Sequence, residues 1–260
     1  MNEAREITIS ARNLKVGYGE NIILQNISFQ VSHGEVFVIL GGSGSGKSTL
    51  LKNLIGLHTP MEGEVWIEGS NLFAAKDDER RHLLRRFGVA YQSGALFGSM
   101  TVLENVRLPM DELTALPDPL KELAALAKLK LVGLAAAAGK LPSELSGGMQ
   151  KRAAIARAMA LDPRILFLDE PSAGLDPVTS ADLDLLIKEL AHHLGFTFVI
   201  VTHELASIYE IADQVIMLDG QTRTIVATGR PAELRDNSAN PWVRRFFNRE
   251  PDAVASGLHL

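Results

Sequence analysis

The stretch EVFVILGGSGSGKSTLLKNLIG, residues 35–56, restricts this chain more than any other. A short apolar run meets a turn of glycine and serine, and a helical pattern follows at once. Gly41, Gly46, Lys47 and Ser48 stand at G-x-x-x-x-G-K-[ST] spacing. A flexible Gly/Ser turn has the same composition but has no need of a strand before it and a helix after it. A buried strand running through a tight turn into a helix belongs to an open, mostly parallel α/β sheet. Bare backbone lets N–H groups close round an anion, and the start of the helix adds its positive end. The expectation is a nucleotide phosphate site. Gly41, Gly42, Ser43, Gly44, Ser45 and Gly46 form the cradle, Lys47 reaches the β- and γ-phosphates, Ser48 ligates Mg²⁺ and Thr49 bonds the next phosphate.

Three further apolar runs have the same buried-strand character: RILFLD (164–169), FTFVIVTH (196–203) and QVIMLD (214–219). Helical patterns lie at 47–56, 149–161 and 178–194. By contrast ITISARNLKVGY, NIILQNISFQVS and GEVWIEGSNL alternate apolar with polar, as half-exposed antiparallel strands do. Residues 93–160 carry many helix formers and few strand signals. The predicted fold is therefore α/β, a P-loop NTPase (RecA-like) parallel-sheet core with an N-terminal antiparallel β-subdomain and an inserted α-helical subdomain. Residues 1–260 are expected to form one domain, with 1–92 and 161–235 as β-subdomain plus catalytic core, 93–160 as helical subdomain and 236–260 as a C-terminal tail. The final PDAVASGLHL is expected to fray.

Charge and composition exclude several classes. With 26 Lys and Arg against 31 Asp and Glu, the net charge of −5 gives no global support for nucleic-acid binding. The absence of cysteine excludes disulfides, thiol catalysis and Cys-bound metals, and suits a cytosolic protein. MNEAREITIS lacks the apolar stretch of a signal peptide. No apolar run approaches the roughly 18–20 residues that span a bilayer; the longest greasy stretch, 120–138, is broken by Lys121, Glu122, Lys128 and Lys130 and reads as Ala/Leu-rich helix. Work at a membrane would therefore go through a partner.

In ILFLDEP, Asp169 and Glu170 end a buried strand, where carboxylates can reach a metal beside the phosphates. Asp169 is the candidate Mg²⁺ partner. Glu170 is the candidate general base for the water that attacks the γ-phosphate. VIVTHE repeats the arrangement and ends at His203, suited to sensing the γ-phosphate. Gln92 follows the short apolar run GVAY, and its amide suits both metal and water. Tyr18, upstream of the phosphate loop, is suited to stacking on adenine or equally to core packing.

In order, the chain shows an upstream aromatic, a phosphate loop, a glutamine loop, LSGG, ILFLDEP, SAGLD and a downstream His. This set resembles the nucleotide-binding subunit of an ATP-binding-cassette (ABC) transporter, from about Ile7 to about Leu234. The resemblance implies ATP as the nucleotide. It implies that Ser146, Gly147 and Gly148 contact the γ-phosphate of ATP held by a second subunit, and that Asp176 belongs to the loop joining the two sites. A serine hydroxyl, bare N–H groups and a helix N-terminus make an anion site on physical grounds too. One phosphate loop and one signature per chain imply a homodimer with two shared sites. QSGALF (92–97) with LSGGM, in which Met149 replaces the usual Gln, narrows the resemblance. It points to the ATPases that pair with MCE-domain proteins and move lipids across the Gram-negative envelope, the Mla type. IADQVIMLDG and NPWVRRFF are similar too, whereas Leu175 is the generic ABC residue. That group implies an integral membrane permease of the MlaE type, an MCE-domain protein, a STAS-domain subunit and a place on the cytoplasmic face of the inner membrane.

Other ABC ATPases stay open at this stage. An amino-acid, metal or peptide importer would carry identical catalytic residues. A soluble ABC-type ATPase acting on DNA or ribosomes would usually bring long coiled coils or two cassettes, and a binding module without turnover would lack Glu170, Lys47 or His203. In the tail, NPWVRRFFNRE combines Trp242, Phe246 and Phe247 with Arg244 and Arg245. It reads as a last helix packed on its own core or as a docking segment.

Overall fold

The computed structural model describes residues 6–250. Its strands are β1 Ile7–Tyr18, β2 Asn21–Ser32, β3 Val36–Gly41, β4 Glu62–Ile67, β5 Ser70–Asn71, β6 Phe87–Ala90, β7 Ile165–Asp169, β8 Thr197–Val201, β9 Gln214–Asp219 and β10 Thr224–Gly229. Its helices are α1 Lys47–Leu54, α2 Asp77–Leu84, α3 Val102–Leu113, α4 Asp118–Leu131, α5 Gly147–Ala158, α6 Pro177–Leu194, α7 Leu205–Ile211, α8 Pro231–Asn237 and α9 Pro241–Asn248.

The alternating segments pair as an antiparallel sheet in the order β2-β1-β4-β5, and the apolar runs form the six-stranded sheet β10-β9-β3-β8-β7-β6. Within the second sheet β9, β3, β8, β7 and β6 run parallel. Alternation along β3 divides the core in two. Phe37 and Ile39 face the antiparallel sheet and α1, packing with Ile9, Val31 and Leu50. Val36, Val38 and Leu40 face the helices, packing with Ile155, Leu183 and Ile187. Covering on both faces is why these strands read as unbroken apolar runs.

Several boundaries differ from the sequence expectation for local reasons. FTFVIVTH ends as a strand at Val201, so His203 lies in the following loop. The signature helix begins at Gly147, two residues earlier than its pattern suggests, because Ser146 accepts a hydrogen bond from the Met149 N–H and caps it. The Ala/Leu-rich helix stops at Leu131, and Gly133 then turns at φ 73°. Strand β10 was not foreseen. It adds antiparallel at the edge beside β9, and its half-exposed residues lack the apolar run of the interior strands. In the tail, Val243 and Phe247 are buried, and the Tyr209 hydroxyl donates to the Phe247 carbonyl at 2.9 Å. Residues 241–248 thus form a last helix on the core, while PDAVASGLHL lies outside the described residues. Among the described residues no helix is long and apolar enough to cross a membrane.

Residues 101–158 hold α3, α4 and α5. Thr101 and Glu104 close a reciprocal cap at the start of α3. Buried Asn105 accepts from the Phe97 N–H at 2.7 Å and donates to the Phe97, Met100 and Thr101 carbonyls. It ties the segment after Gln92 to the helices. At the α5–α6 contact a Cβ on Gly148 would stand 2.3 Å from the Thr179 methyl, so glycine is what lets the two helices meet.

Helix α6 also buries a carboxyl. Asp184 is only 4% exposed, and burial, reinforced by Glu204 and Glu210 against the Ser207 hydroxyl, pushes it from 3.8 up to about 6. A raised carboxyl favours the unfolded state once pH exceeds the unfolded value, and the full penalty, at most about 3 kcal/mol, is present above the folded value. Asp184→Asn should therefore raise stability by about 1–3 kcal/mol near pH 8 and give little gain near pH 4. Chemical denaturation at both pH values measures this; an equal gain at both would contradict it.

Candidate nucleotide site

The parallel register sets the site. Asp169 pairs with Val201 across β7 and β8, Ala90 with Leu168 across β6 and β7, and Ile39 with Val201 across β3 and β8. The carboxyl ends of four strands therefore share one edge. The phosphate loop, the acid pair, the loop to His203 and the loop to Gln92 all leave from it, where open parallel sheets bind ligands.

The phosphate loop turns on glycines that cannot be replaced freely. Gly44 and Gly46 have φ 76° and 94°. A Cβ on Gly41 would lie 2.5 Å from the Leu218 carbonyl oxygen, and one on Gly46 would lie 2.9 Å from the Leu24 side chain. No side chain caps α1, so the N–H groups of its first turn point into the loop. Ile23 and residues 44–49 line the resulting cavity. Lys47 Nζ donates to the carbonyls of Gly41 at 2.8 Å and Gly42 at 3.0 Å. Its pKa is lowered by burial, against the pull of Glu170 and Asp169. The buried Ser45 hydroxyl has no hydrogen-bond partner.

At the end of β7, burial and then the Glu170 charge raise the Asp169 carboxyl, while Lys52, Lys47 and Lys151 oppose them. Glu170 leaves the strand at φ 46°, an uncommon conformation for a side chain of its size, and its N–H bonds the Val201 carbonyl. The turn sets Glu170 Oε1 2.8 Å from His203 Nδ1. Its other oxygen, Oε2, is buried without a partner.

Gln92 is exposed, and its main chain is the part that is held. Lys151 Nζ, from α5, donates to the Gln92 carbonyl and also to the Glu170 carbonyl at 3.3 Å. Two turns on, Arg157 donates to the carbonyls of Ala95 at 2.7 Å and Gly94 at 2.9 Å. Gly94 and Ala95 both have positive φ. Burial lowers the pKa of both cations. Tyr91, Gln92, Gly147, Lys151, Asp169 and Leu175 are among the residues that line a cavity of about 570 Å³ between these elements. Sequence reasoning missed Lys151 and Arg157, since a cation inside a helix is ordinarily a solvated one. The only signal was their place on the helix that begins with the signature.

Lys47, Asp169, Glu170, His203 and Gln92 thus come together on one edge. Ser146, Gly147 and Gly148 are not among the residues lining the loop cavity, and Gly147 lines the second cavity with Gln92 and Asp169. Gly147 lies near Leu175, and Gly148 is buried against Thr179. Asp176 caps α6, accepting from the N–H groups of Val178 and Thr179 at 3.1 Å. The half-exposed Tyr18 sits edge-on to His58, with ring centres 5.3 Å apart, and is also absent from the loop cavity.

Comparison with known proteins agrees with this geometry. The family described as ABC transporter matches residues 24–173, more than half of the chain. The intermembrane phospholipid transport system ATP-binding protein MlaF of Escherichia coli (strain K12) is 41% identical over 249 residues, 96% of this chain and 90% of that protein. The probable ribonucleotide transport ATP-binding protein mkl of Mycobacterium tuberculosis (strain ATCC 25618 / H37Rv) is 39% identical over 93% of this chain and 67% of its own length. The ATP-binding cassette MJ0796, solved as a dimer in a post-hydrolysis state with ADP and Pi, has a TM-score of 0.74 at 33% identity, covering 85% of this chain and 98% of that one. Phosphate loop, acid pair and signature thus stand on an ATP-binding cassette, and the chain belongs to the ABC transporter family as an ATPase subunit.

Proposed function

We propose that the chain hydrolyses ATP as a homodimer to drive a membrane permease that moves phospholipid between envelope membranes. The observation that carries hydrolysis is Glu170, with one oxygen beside His203 and the other buried without a partner. The Glu170 carboxylate is the proposed acceptor for the proton of the attacking water. With Nδ1 of His203 beside Glu170, Nε2 is the ring nitrogen left to face the γ-phosphate, to which it donates only when it carries a proton. Lys47 sits at the mouth of the loop, where phosphate oxygens compete with the Gly41 and Gly42 carbonyls for its ammonium. The N–H groups of residues 41–49 hold the remaining phosphate charge, and Tyr18 is assigned to the base. Ser48, Gln92 and Asp169 would hold Mg²⁺, which neutralises phosphate charge when bound. Their hydroxyl, amide and carboxylate oxygens suit a hard cation.

Ser146, Gly147 and Gly148 are assigned to the partner copy's ATP, and Asp176 to the loop that joins the two shared sites. Two-fold pairing makes two complete sites from two half-sites, and the presence of one phosphate loop and one signature in the chain supports this. Residues 93–160 carry the motion to the permease, as a helical subdomain hinged on the glutamine loop. The 41% identity to MlaF over nearly the whole chain supports phospholipid as cargo and an MlaE-like permease, an MCE-domain protein and a STAS-domain subunit as partners. The cassette would then sit peripherally on the cytoplasmic face of the inner membrane. The similarity to mkl names a second cargo class.

Three experiments test this. Glu170→Gln should keep ATP binding and lower kcat by at least about a hundredfold, the low end of what a general base contributes; full turnover would remove Glu170 from the mechanism. Ser146→Arg and Lys47→Ala chains should each be inactive alone. Mixed, they should recover part of the wild-type rate, since one composite site per mixed dimer is intact, and no recovery at all would count against shared sites. The tagged chain, purified from detergent-solubilised membranes, should bring down a permease and an MCE-domain protein. A soluble solute receptor in their place would replace the lipid reading.

A further inference from the structure

We infer that Lys151 is a positioning residue that locks the glutamine loop to the backbone of the general base. Its ammonium bonds two main-chain carbonyls of sites distant in sequence, those of Gln92 and Glu170. An ammonium has three donors and no acceptor, so one group can hold two carbonyls at once. The two carbonyls belong to the segment that carries the candidate metal ligand and to the residue that carries the candidate base. Lys151 itself lies in the second turn of α5, whose N-cap is Ser146. One rigid helix therefore connects three parts of the site: signature, glutamine loop and base.

The surroundings fit a structural cation rather than a solvated one. The ammonium lies near Asp169, Glu170 and Glu204, which stabilise its charge against the burial that opposes it. Glu170 is held at φ 46°, a conformation that needs outside support, and its carbonyl is one of the two that Lys151 holds. Arg157 anchors the same loop further along, at Gly94 and Ala95, but has no bond to Glu170. Lys151 is therefore the link through which displacement of the glutamine loop reaches the base. Lys151 is not among the residues lining the phosphate-loop cavity and lines instead the cavity shared by Gln92 and Asp169.

The inference rests on the proposed roles of Glu170 and Gln92, and its test keeps the two apart. Lys151→Met retains most of the stem and removes the ammonium. In the complex with its permease, this variant should lose about tenfold or more in kcat, with the KM and Kd for ATP within about twofold of wild type. Lys151→Arg, which can still donate to both carbonyls, should recover much of kcat. A wild-type kcat for Lys151→Met would overturn the inference, and so would a matching loss of ATP affinity. So would equal losses in Lys151→Met and Lys151→Arg, which point to packing alone. If Lys151→Met does not fold by thermal melting, Lys151→Gln is measured by the same criteria. Glu170→Gln is run alongside. Full turnover there sinks the reading of the base whatever Lys151→Met does, whereas an inactive Glu170→Gln beside a wild-type Lys151→Met sinks only the lock.

Discussion

The parallel pairing of β3, β8, β7 and β6 is the constraint on which the rest of the site depends. Parallel strands in register end on one edge, so segments that are far apart in sequence deliver their last residues to one place. Gly41, Asp169, Val201 and Ala90 are strand-end residues, and every candidate group of the phosphate-binding half lies at or just beyond one of them. The register is itself fixed by burial. Both faces of these strands are covered, and a slip of one residue would exchange Phe37 and Ile39 with Val36, Val38 and Leu40 between two differently shaped cores.

Gathering strand ends also gathers charge. Asp169 and Glu170 are adjacent and partly buried, an arrangement that raises the Asp169 carboxyl. Lys47, Lys52 and Lys151 arrive from α1 and α5 and oppose that shift. Lys47 and Lys151 are themselves pulled down by burial and supported by the same carboxylates. The site is therefore a network in which each charge is tolerable because the others are present, which is the condition under which buried ions persist. Lys47 and Lys151 divide the work: the first bonds the phosphate loop, the second bonds the loops on the far side of the acid pair.

Much of this was legible in the sequence, and the reason is periodicity. The fully covered strands announce themselves as apolar runs, the half-exposed ones as alternation, and the phosphate loop lies between a strand and a helix as its geometry requires. Glu170 and His203 were found as residues at strand ends, but their contact was invisible, since it comes from the left-handed turn at Glu170. Strand β10 escaped because an edge strand needs no apolar run. Lys151 and Arg157 escaped because their partners are backbone carbonyls. A carbonyl is present at every residue and leaves no mark in the sequence, so a cation that binds one looks like any surface lysine or arginine. Gly148 was readable as glycine for the sake of a phosphate, whereas its missing Cβ is first of all what lets α5 approach Thr179.

The signature serine shows how a residue can hold its own helix and still serve a neighbour. Ser146 caps α5 through its oxygen, which accepts from the Met149 N–H. Asp176 caps α6 in the same way. An Asp at 146 would cap equally well. It would also place a negative charge where the partner's γ-phosphate is proposed to lie, and an ionised carboxylate has no proton to donate. A hydroxyl has both faculties, since its oxygen accepts from its own helix while its O–H can still donate. Asp176 needs only to cap, because the loop it closes is assigned to joining the two sites rather than to phosphate. The two N-caps differ by one functional group, and that difference is what an anion-binding role at 146 requires of a residue that must also start a helix.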